Sequence, residues 1–156
     1  MTQVAAGLRQ IYLDADYAVF ADPPFVLRIG EPSKALLQVY ARLDCECCAY
    51  LTACNPRSRR LRPAANARRM RALRAALLLR GWRPIDGEGR DPQGGWPAEP
   101  SLLVPGMDIA AALALARRFG QNAIVAAGPR GIPELAWVPY PGSAANRCAG
   151  PASLLS

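Results

Sequence analysis

The sequence predicts an α/β protein of α+β character, a single mixed β-sheet with about three packed helices. Three observations lead there. Of the 156 residues 51% are hydrophobic, and the mean hydropathy is +0.03, a balance that supports one buried core and argues against wholesale disorder. Segments with a helical apolar period alternate with short apolar runs bounded by Gly and Pro. Near both ends the short runs follow one another closely, which points to antiparallel neighbours.

Taken in order, Thr2 to Leu13 suits a short helix and Tyr17 to Ala21 a strand. Asp22-Pro23-Pro24 turns the chain into a second strand, Phe25 to Ile29, completing a hairpin. Ser33 is an N-cap for a helix to about Leu43, with Leu36, Tyr40 and Leu43 on one face. Cys47 to Cys54 has the profile of a strand buried on both faces, ended by Asn55-Pro56. A helix from Ala64 to Arg80 stops at Gly81, and its inner stripe holds Asn66, Met70, Leu73 and Leu77. Arg83 to Pro100, rich in Gly and Pro, reads as a long irregular loop. Leu102 to Val104 resumes a strand, and Asp108 caps a helix that Gly120 closes. Asn122 to Ala127 and Leu135 to Val138 are the final strands. Positions 1–140 are expected to form one domain, and 141–156 a loose tail.

Charge is uneven. There are 19 basic against 12 acidic residues, and the stretch Arg57–Arg83 holds ten arginines and no acid. This block is either a solvated helix face or a footprint for the phosphates of nucleic acid. Arg68 and Arg71 point away from the inner stripe while Arg69, Arg74 and Arg80 flank it, so the charge fans around the helix. Trp82 is the only aromatic residue there, which leaves no stacking platform for single strands.

The chain contains no histidine, which excludes Ser-His-Asp and Cys-His catalysis and histidine-ligated metals. Cys45 and Cys48 form a C-x-x-C without the second pair that a zinc site needs. Five cysteines, with no leader-like pattern at the N-terminus, fit a reducing, cytoplasmic setting better than a disulfide framework. The apolar helical run Ile109 to Ala116 is too short to span a bilayer. No membrane partner, metal or cofactor is expected.

Polar residues gather at element ends. Thr52 and Asn55 close a buried strand, where ligands collect in open α/β sheets. Asn66 lies in the first turn of the next helix, beside free backbone N–H groups. Glu99 and Ser101 flank the start of another strand, Gln121 and Asn122 the start of a third, and the Gly/Pro loop carries Arg90 and Trp96. If these ends converge they make a cleft with amides, hydroxyls and one carboxylate. Each residue also has a plainer role open to it. Asn55 suits the turn before Pro56, Asn66 the loop backbone, and Gln121 a helix end; Glu99 could pair with Arg83 or Arg90, and Ser101 could cap a turn.

Thr52-Ala53-Cys54-Asn55-Pro56, Asn66, the Gly87–Pro92 loop, Trp96-Pro97-Ala98-Glu99-Pro100-Ser101 and Phe119-Gly120-Gln121-Asn122-Ala123 stand out together. The combination resembles an uncharacterised bacterial family, a domain of unknown function with T-A-x-N-P, W-x-E-x-S and F-G-Q-x-A signatures. The resemblance runs from about Tyr12 to Val138 and implies no activity; the Cys-rich approach to Thr52 departs from it.

The function expected is binding of a small polar or anionic ligand, nucleotide-like, through Thr52, Asn55, Asn66, Arg90, Trp96, Ser101, Gln121 and Asn122. Arg69 or Arg90 would meet negative charge. Glu99 is the candidate catalytic acid or base, for hydrolysis or group transfer without covalent His or Cys chemistry. A nucleic-acid-binding accessory protein using Arg57–Arg83 is the alternative, and a protein-interaction module the third reading.

Overall fold

Residues 3–141 are described by the computed structural model, and among them lie four α-helices and seven strands. In chain order these are α1 (Gln3–Asp14), β1 (Asp16–Val19), β2 (Phe25–Leu27), α2 (Lys34–Leu43), β3 (Cys48–Leu51) and α3 (Pro63–Leu79). There follow β4 (Ile85–Arg90), β5 (Glu99–Pro105), α4 (Ile109–Arg118), β6 (Ala123–Ala127) and β7 (Pro133–Trp137). The expected tail beyond Pro141 lies outside the described residues.

All seven strands join one sheet in the order β2-β1-β4-β5-β3-β6-β7, and every neighbouring pair is antiparallel. The expected mixed sheet is therefore corrected to an antiparallel one. The alternation of strand and helix misled because each crossover skips a strand. The connection β3-α3-β4 straddles β5, and β5-α4-β6 straddles β3. Strands linked by a helix thus run parallel without touching, and hydrogen bonding falls entirely between opposed neighbours. This βαββαβ connectivity is that of the ferredoxin-like split βαβ arrangement. The hairpin β1-β2 extends it beside β4, and β7 extends it beside β6.

The expected loop Arg83–Pro100 is also corrected, for it holds β4 and the start of β5 and shrinks to the turn between them. One of its glycines has a tertiary reason. A Cβ at Gly87 would run into the Ala18 carbonyl oxygen of the neighbouring strand and come within 3.0 Å of the Tyr50 hydroxyl.

Caps set the helix ends. Leu36 N–H donates to Ser33 Oγ (3.1 Å) and Ala111 N–H to Asp108 Oδ1 (2.8 Å). At the end of α4, Gly120 (φ +71°) donates to the Arg117 carbonyl and Gln121 N–H to that of Ala116. This Schellman turn carries Gln121 directly to the start of β6. Pro56 explains why the turn must be glycine in a second way, since its Cβ lies 3.0 Å from where a Cβ at position 120 would sit.

The two sheet faces are covered differently. On one, α3 and α4 lay Leu73, Leu77, Ala112 and Leu115 over Ala49, Leu51, Leu102 and Val104. On the other, α2 sets Leu36 and Tyr40 over Cys48, Tyr50, Leu103 and Val125. That leaves the end of this second face nearest Tyr17 to α1. No helix among the described residues is long and apolar enough to cross a membrane.

Candidate functional site

Strand alternation decides which side chains share the second face. Tyr17 of β1 stands opposite Gly89 of β4, and Gly89 opposite Glu99 of β5. Ser101 follows Glu99 at a two-residue step, Thr52 follows Tyr50, and Gln121 precedes Ala123 and Val125 in the same way. Beneath α1 these residues enclose a cavity of about 320 Å³. Leu8, Ile11 and Tyr12 of α1 roof it, with Trp96 and Pro97 of the β4–β5 turn at one side. Its volume lies at the small end of the roughly 300–1,000 Å³ range of ligand pockets.

Of the sequence-selected residues, Thr52, Asn55, Arg90, Trp96, Glu99, Ser101, Gln121 and Asn122 all line this cavity. Asn66 does not; it stands one layer behind. Its Oδ1 accepts from the Asn55 backbone N–H (2.9 Å), and its Nδ2 donates to Asn55 Oδ1 (2.8 Å). Leu61 N–H also donates to Asn55 Oδ1 (2.9 Å), leaving the Asn55 amide nitrogen to face Glu99. Asn66 thereby holds Asn55 in the left-handed region (φ 45°), and Arg57 and Ser58 share that region. Three non-glycine residues in this conformation within four positions mark the segment as held by its surroundings.

Glu99 is the only carboxylate among the cavity residues. Burial pushes its pKa above the usual carboxylate range, while the Asn55 amide and Thr52 hydroxyl pull the other way. Neither Arg83 nor Arg90, the arginines expected to pair with it, forms an ion pair with Glu99 among the described residues. Arg90 Nε donates to Glu88 (2.6 Å) and its guanidinium lies 5.8 Å from the Phe20 ring centre. Arg69 is a structural clamp whose Nε donates to the Ala53 carbonyl (2.6 Å) and whose terminal nitrogen donates to that of Phe119. Gln121 is similarly committed on one side, Nε2 donating to the carbonyls of Cys54 (2.9 Å) and Phe119 (3.4 Å). Asn122 Nδ2 donates to Ser58 Oγ (2.9 Å), Thr52 Oγ1 to the Pro100 carbonyl (2.8 Å), and Ser101 Oγ to the Glu99 carbonyl (3.0 Å).

Several lining residues had escaped the sequence reading. Tyr12, half-buried on the cavity side of α1, has its hydroxyl pushed up to about 12, first by burial and then by the charge of Glu99. Tyr17 and Tyr50 meet edge-on at 5.4 Å, both shifted upward chiefly by burial. Their hydroxyls donate to the carbonyls of Tyr12 (2.6 Å) and Ala18 (2.8 Å), so they offer the cavity rings. Arg60 reaches the rim, exposed and without an ion-pair partner among the described residues. A period-two reading from Thr52 back to Tyr50 would have found one of these; Arg60 was hidden among its neighbours. Among the described residues no group of three or more Cys, Asp or Glu is placed to hold a metal.

Fold and site together define an α+β protein with ferredoxin-like connectivity and a polar-floored cavity on the sheet face away from its crossover helices. Residues 51–124 match the model of a family described as a protein of unknown function (DUF3293). No curated protein and no solved structure matches the chain. The matched stretch runs from the end of β3 into β6 and holds all three motif segments. Trp96 and Glu99 stand one residue further apart than in a W-x-E-x-S pattern.

Proposed function

We propose that this chain binds a small polar or anionic ligand, nucleotide-like in character, in the cavity between α1 and the sheet. The carrying observation is convergence. Thr52 and Asn55, Glu99 and Ser101, and Gln121 and Asn122 come from three separate parts of the chain and border one space. Polar groups facing an otherwise apolar and aromatic pocket are what orients a small molecule. Glu99, half-buried and without an ion-pair partner among the described residues, is the group suited to move a proton if the bound molecule reacts.

The test is a native mass spectrum of gently purified protein beside its Asn55→Ala and Glu99→Gln variants. A small retained mass that disappears in either variant is expected. A bare protein mass, together with no thermal stabilisation by a panel of anionic metabolites, would overturn the reading. Nucleic-acid binding through Arg57–Arg83 is a second reading, drawn from Arg59, Arg62, Arg68 and Arg71, which are exposed. It requires an affinity that falls steeply with salt, because each neutralised phosphate releases counterions.

A further inference from the structure

The wall of the cavity spends its donors on the protein itself. The hydroxyls of Tyr17 and Tyr50 donate to the carbonyls of Tyr12 and Ala18, and those of Thr52 and Ser101 to the carbonyls of Pro100 and Glu99. The side-chain nitrogen of Gln121 is likewise taken up by two backbone carbonyls. Glu99, the one carboxylate among the lining residues, is an acceptor with room left. Asn55 and Thr52 offer it at most two hydrogen bonds, where a carboxylate accepts about four. In a chain with 19 basic residues, none forms an ion pair with it among the described residues. Of the two arginines that also border the cavity, Arg90 is engaged by Glu88 and Arg60 stands exposed.

The strand register opens a space beside this carboxylate. Tyr17 of β1 pairs with Gly89 of β4, and Gly89 with Glu99 of β5. Residues directly opposite one another share a sheet face, so Tyr17 and Glu99 rise from the same face, two strand spacings or about 9–10 Å apart. Gly89 between them has no side chain, and nothing lies within 4 Å of where its Cβ would be. Tyr12, Tyr50 and Trp96 add further rings to the lining. The space is thus bounded by one acid and by aromatic surface.

We propose that the group entering this cavity is a protonated primary amine, held by Glu99 in the space over Gly89. This rests on the small-ligand reading above and adds to it the charge of the buried group. An ammonium carries three donors and no acceptor, which suits a wall whose hydroxyl protons are already spent. Its bond to the carboxylate is charge-assisted, and aromatic surface attracts a cation that has shed part of its water. An anionic head in the same place would meet the like charge of Glu99.

Three probes that share a phenyl body and differ in charge test this: phenethylamine, 2-phenylethanol and 3-phenylpropanoate. In calorimetric titration of the full chain, the amine should bind at least about tenfold tighter than the alcohol, because the alcohol leaves the carboxylate without its cation. The carboxylate probe should not bind. Glu99→Gln should bring the amine down to the affinity of the alcohol. Gly89→Val, which suits a strand and fills the open space, should abolish binding of the amine while the circular dichroism spectrum stays that of the parent.

The carboxylate probe binding as tightly as the amine, or full amine affinity in Glu99→Gln, would overturn the assignment of charge. A retained mass in the native spectrum that holds no basic nitrogen would also overturn it, while leaving the cavity a ligand site. A retained amine that Glu99→Gln releases would support it whatever the phenyl probes do. No binding by any of the three and no retained mass would remove both readings together.

Discussion

The two faces of this sheet share the same seven strands and are built to opposite ends. Under α3 and α4 the packing is aliphatic and continuous, with Leu73 and Leu77 of α3 and Leu102 and Val104 of the sheet fully buried. Under α1 the same strands present Tyr17, Gly89, Glu99, Ser101 and Thr52 around a space of about 320 Å³. Close packing stabilises the first face. The second forgoes part of that stabilisation by leaving a hollow and keeping a half-buried carboxyl. The contrast teaches that one amphipathic pattern can build a core on one side and a polar-floored cavity on the other, through the residues at alternate positions.

The largest way to break the contrast is to hollow the packed face. Leu77→Ala should lower stability by about 2–5 kcal/mol, read as the urea midpoint, because the side chain is fully buried under α3. A result under about 1 kcal/mol would mean that this face is as loosely packed as the other. Next comes Gly87→Ala, which must push the Ala18 backbone aside and should cost about 1–3 kcal/mol by thermal or urea denaturation.

Protonation sharpens the comparison further, since the second face holds the half-buried acid Glu99. Burial holds the Glu99 pKa above its unfolded value, so the folded protein takes up this proton more readily. The stability the group contributes is complete below the ordinary carboxylate pKa and is lost as pH rises through the folded value. Glu99→Gln should flatten that part of the Tm–pH curve and match or exceed the parent at neutral pH. An unchanged slope would mean that Glu99 is solvated. The smallest effect belongs to Gly89→Ala, within about 1 kcal/mol of the parent, because its Cβ enters open space.

Much of this was legible in the sequence where local physics decides. Ser33 and Asp108 as caps, Gly81 and Gly120 as stops, and the Asp22-Pro23-Pro24 turn read directly into structure. The residues at strand ends were legible for the same reason, since amides and hydroxyls beside an apolar run need a partner or a purpose. What escaped was tertiary. Gly87 looked like a loop residue because its reason, the Ala18 carbonyl, lies on another strand. Whether a crossover helix skips a strand leaves no mark on hydrophobic period, so antiparallel pairing was read as mixed. Tyr12 joined the site only because α1 folds over the second face, which no residue of α1 announces.

The match over residues 51–124 has a consequence for how such a pocket can diversify. That stretch supplies Asn55, Glu99 and Gln121 of the polar floor, while Leu8, Ile11 and Tyr12 of the roof come from before it. The floor and the roof of the cavity are thus written in separate lengths of chain. Another protein that shares only this stretch could keep the polar chemistry of the floor under a roof of different shape. The same division offers a route to redesign: grafting a new first helix would reshape the roof without touching the polar floor.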